Sequence, residues 1–262
     1  SSAGYHDRLG RHLQAVGQTE AALEAMLAAA QSWSLAHDHG QSLDILARCD
    51  ELLDDLDVDD LDDRRVSVLE KRVRCHFHRG EFNQADICME EVQRIVQQVG
   101  DSDKLADLLL DSAQFAWTRG RGDQAEEWMA QVGQLISGEI QGPLGLKWCL
   151  GQSDRYIRRS ALEEDKDWAE RAVEIGRIIG DESGLGRALR DRGTIASLCG
   201  EFERAQTFLL EARHVQERSG NLKDVANTVN RLGECERWSG HLDRAEVLYK
   251  EAVAIYQRAG AS

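Results

Sequence analysis

The chain is 262 residues long, 42% hydrophobic and 30% charged, which is enough apolar material to bury a core and too much for a disordered tail. Its formal charge of -15, from 47 acidic and 32 basic residues, repels a nucleic-acid backbone, and no apolar run approaches the roughly 18 residues needed to span a bilayer. Nucleic acid and membrane are therefore not expected partners; the six cysteines, without CxxC spacing, read as free buried thiols of a cytoplasmic protein.

The opening "SSAGYH" carries no secretory leader and no methionine, and reads as the start of a piece excised from a longer protein. One proline, few aromatics and abundant Ala, Leu, Glu, Arg and Gln favour helix throughout. Residues 4–17 are predicted as an N-terminal helix. From there the chain repeats itself every forty residues: "GEFNQA" at 80, "GRGDQA" at 120, "GEFERA" at 200 and "GHLDRA" at 240. Positions 40, 80, 120, 200 and 240 are all Gly, with Ser at 160, where composition alone predicts about half a glycine in six slots. A second glycine column, at 100, 180, 220 and 260, follows amphipathic stretches, where a helix needs a left-handed cap.

Two columns half a period apart divide each repeat into two helices. First helices are predicted at 22–38, 62–79, 103–119, 144–159, 183–199 and 222–239. Second helices are predicted at 42–54, 83–98, 123–136, 164–179, 203–219 and 243–259. The result is an all-α chain of about six antiparallel hairpins, over 20–60, 61–100, 101–140, 141–180, 181–220 and 221–260, forming one domain across 1–262. Small residues recur where helices must approach: Val73, Ala113, Ser153, Gly193 and Gly233 in first helices, then Ala85, Ala125, Ala205 and Ala245 opening second helices. The first repeat fits least well, with Trp33 in the small column and Ile45 in the alanine column.

These columns resemble the tetratricopeptide repeat, in a forty-residue variety that lacks the proline commonly closing the second helix. The resemblance implies a right-handed superhelical solenoid whose first helices line a concave groove, and protein or peptide binding there. It places Lys147, Arg158, Arg187, Arg190, Asn227, Asn230, Arg231 and Arg237 in the groove, with Leu150, Asp154, Ile157, Asp191, Thr194, Ser197, Glu234 and Trp238 beside them. Guanidinium forks suit carboxylates and the two Asn amides suit a peptide backbone, so an acidic peptide or a free C-terminus is the expected ligand. The competing reading is a solvated face in which Asp154, Asp191 and Glu234 neutralise the arginines. Earlier in the chain Phe77 and Trp117, with Glu70, Arg74, His78, Leu110 and Gln114, form either an aromatic shelf or part of the core.

No cofactor, metal or catalytic set is expected. The acidic run "DELLDDLDVDDLDD" lacks the glycine and glutamate an EF-hand counted from Asp55 requires, having Asp60 and Val66 there. Cys75, His76 and His78 point in different directions on a helix, and with His37 and His39, which lie near a turn, they read as helix-end histidines facing carbonyls and not as a zinc site. "GLGRAL" lies inside a helix without a preceding strand, and no P-loop, HExxH or GxSxG motif is present. The last helix carries more apolar surface than one contact face uses (Val247, Leu248, Tyr249, Val253, Ile255, Tyr256), which predicts self-association or a missing neighbour. The reading as a whole is a non-catalytic scaffold; the alternative is a sensor or autoinhibitory arm of a larger bacterial regulatory ATPase or transcription activator, binding a small effector or its own catalytic domain.

Overall fold

A computed structural model of the chain describes residues 2–59, 61–136, 141–159 and 167–261. Among these residues there are thirteen helices and no strand: α1 (Ser2–Ala15), α2 (Thr19–Leu35), α3 (His39–Asp55), α4 (Asp63–His78), α5 (Phe82–Val99), α6 (Ser102–Thr118), α7 (Gly122–Leu135), α8 (Gly142–Arg159), α9 (Asp167–Ile179), α10 (Glu182–Leu198), α11 (Phe202–Ser219), α12 (Leu222–Trp238) and α13 (Leu242–Ala261). The predicted start of one second helix at 164, the serine at 160 and Asp60 lie outside the described residues. The chain divides into two compact units, Ser1–Ser112 and Ala113–Ser262.

In the first unit each helix packs on the next, α1 on α2 through α4 on α5. The core is set by α2, whose Ala22, Ala29 and Ala30 are fully buried and let Met26, Leu46, Leu52 and Leu53 close over them. At about 25 cal/mol per Å² of apolar surface, side chains of this size contribute roughly 1.5–3 kcal/mol each when fully buried. Asp7 ties α1 down by accepting bonds from Arg11 (2.9 Å) and Arg48 (3.0 Å).

The predicted register fails in this first repeat. The left-handed turn residues fall at Gly17, His37 and Asp57 before the series settles at Gly80, Gly100 and Gly120, so α2 runs three residues ahead of the expected 22–38. Gly40 is not the turn glycine; it lies in the opening turn of α3. The small column is filled by Ala30, not Trp33, and the alanine column by Ser42, not Ile45. Ser42 Oγ donates to the Ala30 carbonyl at 2.9 Å with both residues buried. The acidic connector after Asp55 absorbs the extra residues, and its carboxylates cap the chain: Asp59 accepts from the Leu61 amide and Asp62 from the Arg64 amide, both at 2.8 Å.

In the second unit α8 to α13 again pack consecutively, and α10 also touches the first helices on either side, α8 and α12. Asp181 and Asn221 cap α10 and α12 by accepting from the backbone three residues on. The small residues act as expected at Gly193, where an added Cβ would lie 2.6 Å from Leu209 Cγ, and at Gly233, where it would meet the Tyr249 ring at 2.8 Å. All six cysteines are free; Cys49, Cys75, Cys149 and Cys235 are buried, while Cys88 and Cys199 are half-buried.

Two hairpin turns share a clasp. His76 Nδ1 meets Glu81 Oε2 at 2.7 Å, and four periods later Glu236 Oε2 meets His241 Nδ1 at 2.9 Å, with acid and imidazole exchanged between the two positions.

Candidate functional site

The residues expected to line a groove fall on the first helices, and the second unit holds most of them. Arg187, near the start of α10, reaches the Asp154 carboxylate on α8 and the Gln114 amide oxygen on α6, the latter at 3.2 Å. Arg190 donates through Nε (3.2 Å) and Nη2 (3.0 Å) to Asp191 Oδ1, and its Nη1 lies 3.8 Å from Asp224 on α12. Arg231 pairs with Glu234 at 2.7 Å. The contacts of Arg187 and Arg190 make a ladder of polar pairs across α6, α8, α10 and α12, with the Arg231–Glu234 pair beside it within α12.

Asp191 is 2% exposed and its Oδ2 meets no hydrogen-bond donor of the protein. Burial raises its pKa against the pull of Arg190, and the nearby Asp154 charge adds to the rise. Burial works the other way on Arg190, but the carboxylates of Asp191, Asp154 and Asp224 outweigh it and hold the guanidinium charged. Asp191 thus lies within the protein as one rung of the ladder instead of facing open solvent.

The remaining candidates stand at the edges. The guanidinium of Arg158 sits 5.7 Å from the Trp117 ring centroid, in cation–π range, and Trp117 itself is 9% exposed. Arg237 stands 5.6 Å from the Trp238 ring. Lys147 and Asn230 are half-buried. Asn227 is exposed, and its Oδ1 accepts from the Tyr256 hydroxyl, which leaves the amide nitrogen as the donating end. In the first unit Phe77 is half-buried and packs edge-on against Phe82 at 5.6 Å. There His78 stacks on His39 at 4.8 Å, and Glu70 pairs with Lys104 at 2.5 Å.

Sequence reasoning missed Asp224 and Gln114 as members of the ladder. It also missed the buried Gln216, whose Oε1 accepts from Thr228 at 2.7 Å; Gly186 leaves the space that its side chain fills. Among the described residues no three His, Cys, Asp or Glu side chains converge to hold a metal ion, and no helix is long and apolar enough to cross a membrane.

No family model and no curated protein matches the chain. Solved structures do. The chain is similar to BtubC from P. vanneervenii at 17% identity and TM-score 0.60, covering 92% of this chain and 93% of that one. It is similar to a Rap protein complexed with competence and sporulation factor at 12% identity and TM-score 0.64, covering 90% of this chain and 66% of that one. A signal transduction ATPase from Pyrococcus horikoshii, described as having a tetratricopeptide repeat sensor, matches at 12% identity and TM-score 0.65, over 96% of this chain and 41% of that one. The chain has the tetratricopeptide-repeat fold. Within that fold the ladder lies on first helices of the TPR-like hairpins, and its arginines are met by acids of the same chain.

Proposed function

We propose that the first-helix face of the second unit holds an extended segment of a partner protein, acidic or ending in a free carboxylate. The observation that carries this reading is the ladder: Arg187, Arg190 and Arg231, with Asn227 and Asn230, stand on consecutive first helices and offer donors in a row. Each arginine already has an acidic partner, so binding is an exchange in which a ligand carboxylate takes the place of Asp154 or Glu234. Exchanging one ion pair at the surface for another gains little, since surface pairs are worth only about 0–1 kcal/mol each. Affinity then comes from backbone amide contacts to Asn227 and Asn230 and from water released along the face, and the charges select the sequence. Rigid packed helices lower the entropy cost of holding the segment. The protein is a binding module in this reading and performs no chemistry; self-association through α13 is a second, separate element.

The test is a displayed peptide library with free and amidated C-termini, selected against the chain and against Arg187→Ala and Arg231→Glu variants matched for helicity. Acidic or free-carboxylate peptides should be enriched and should bind at least about tenfold more weakly to Arg231→Glu, a change of about 1.4 kcal/mol. Enrichment of sequences without acids, or binding to Arg187→Ala and Arg231→Glu as tight as to the wild type, would overturn the assignment. A second reading, the sensor arm of a larger regulatory protein, draws on the likeness to the ATPase with a tetratricopeptide repeat sensor, of which this chain spans 41%. Its mark would be a thermal shift with a small effector that Arg231→Glu leaves unchanged.

A further inference from the structure

The charges of the ladder do not balance. Across α8, α10 and α12 three carboxylates, Asp154, Asp191 and Asp224, meet two guanidinium groups, Arg187 and Arg190, while α6 adds only the neutral Gln114 amide. The acids also differ in depth: the side chains of Asp224 and Asp154 are 28% and 15% exposed, whereas Asp191 is buried. Asp224 stands partly in solvent and accepts from the Asn221 amide. Asp191 is bonded by Arg190 alone, whose Nε and Nη2 both donate to Oδ1, so the buried Oδ2 meets no donor. An oxygen in that state has lost its hydration without repayment by a hydrogen bond.

A ligand carboxylate sharpens the imbalance. In the exchange proposed for this face it takes the place of Asp154 on Arg187, but Asp154 remains on α8 beside the cluster. Four carboxylates then share two guanidinium groups, and one proton restores the net charge that the cluster had before binding. Asp191 is where that proton settles, because it alone is closed off from solvent and has an oxygen without a donor. Burial and the Asp154 charge already favour its protonated form, and Arg190 and Arg187 oppose it; a ligand anion on Arg187 weakens that opposition. Protonated, Asp191 is neutral and costs less to bury than the carboxylate.

We infer that this face takes up an acidic segment together with a proton, which comes from bulk water, rests on Asp191 Oδ2 and returns to water when the segment leaves. The inference rests on the peptide-binding reading and adds its regulation. The complex holds more protons than the free chain, so affinity rises as pH falls and is lost as pH rises.

Isothermal titration calorimetry tests it with the most enriched histidine-free peptide of the displayed library, at fixed salt, from about pH 6 to about pH 8. The peptide's own carboxylates titrate well below that range. Two buffers of unequal ionisation enthalpy count the protons: about one should be taken up, and there the dissociation constant should rise about tenfold per pH unit. Asp191→Asn carries an amide in place of the protonated carboxyl; it should take up no proton and hold one affinity throughout, close to that of the wild type at the acid end. Asp154→Asn removes a neighbouring charge and should move the uptake to lower pH, a readout that stands even where Asp191→Asn folds poorly. A peptide that binds the wild type without proton uptake and with one affinity across the range overturns the inference and leaves the peptide-binding reading intact. Uptake that persists in Asp191→Asn also overturns it. A selection that enriches no acidic peptide overturns both.

Discussion

Alanine at Gly193 and at Gly233 should have opposite consequences, although both are glycines in the middle of a first helix. In helix propensity alone each substitution gains about 1 kcal/mol. At Gly193 the new Cβ would stand 2.6 Å from Leu209 Cγ and 2.9 Å from its Cδ2, about 1 Å inside the usual contact distance of roughly 3.5–4.0 Å. Leu209 is fully buried and the Ala205 carbonyl, 3.1 Å away, is backbone, so neither neighbour can give way cheaply. Overpacking of this kind costs typically about 1–3 kcal/mol; with two contacts under 3.0 Å on a fully buried side chain the upper half of that range applies, which leaves Gly193→Ala less stable by up to about 2 kcal/mol after the propensity gain of about 1 kcal/mol. At Gly233 the atoms met are ring-edge carbons of Tyr249, which borders an open groove and can swing outward; the propensity gain then survives in part, and Gly233→Ala should equal or exceed the wild type. Urea unfolding followed by circular dichroism gives both midpoints. A Gly193→Ala chain as stable as the wild type would refute the view that this column exists to let Leu209 seat against α10.

Asp191 has a raised pKa in the folded chain, so folding favours its protonated form and its contribution to stability is lost as pH rises from about 4 through that raised value. Relative to Asp191→Asn, the wild type should lose stability over that range, read from urea midpoints at a series of pH values; a pH-independent difference would contradict it. Burial pushes the Cys49 thiol up to about 12 and the Cys149 thiol up to about 11, so a thiol reagent followed by mass spectrometry should label the half-buried Cys88 and Cys199 first and reach the other two only on unfolding. His37 holds a left-handed backbone at φ 60°, where an L side chain costs roughly 1 kcal/mol, so His37→Gly should stabilise the first unit by about that amount. In an NMR titration the same substitution should raise the pKa of His39, which burial and the neighbouring His37 charge now hold down.

The hairpins were legible because their signals are local: a glycine where each helix must turn left-handed, and a small residue where two helices touch. The first repeat misled because Gly40 falls in the turn column by coincidence, while the actual turn uses His37, and because a connector three residues longer hides in a uniformly acidic run. The arginines of the candidate site were also legible, since they stand on first helices. Their partners were less so. Asp154 was named as a neutraliser, but Asp224 was not, and both contacts join residues 33 or 34 apart instead of forty. These contacts run six or seven residues out of the forty-residue register, so a column comparison aligns the helices without showing which side chains on them meet. The excess apolar surface of α13 was visible in the sequence, and Val247, Val253 and Tyr256 are indeed exposed; that α12 covers the matching face of α11 one repeat earlier required coordinates.

The exchanged clasp of His76 with Glu81 and Glu236 with His241 bears on how such a chain diverges. Compared column by column, the two turns differ at both positions and score as two mismatches; compared as pairs, they are identical. A direct exchange of one arrangement for the other, one substitution at a time, passes through either two imidazoles or two carboxylates in contact, so the two positions are physically coupled and a change at one alters what the other tolerates. A comparison of these repeats that scores the two positions as a pair therefore recovers a likeness that residue identities miss.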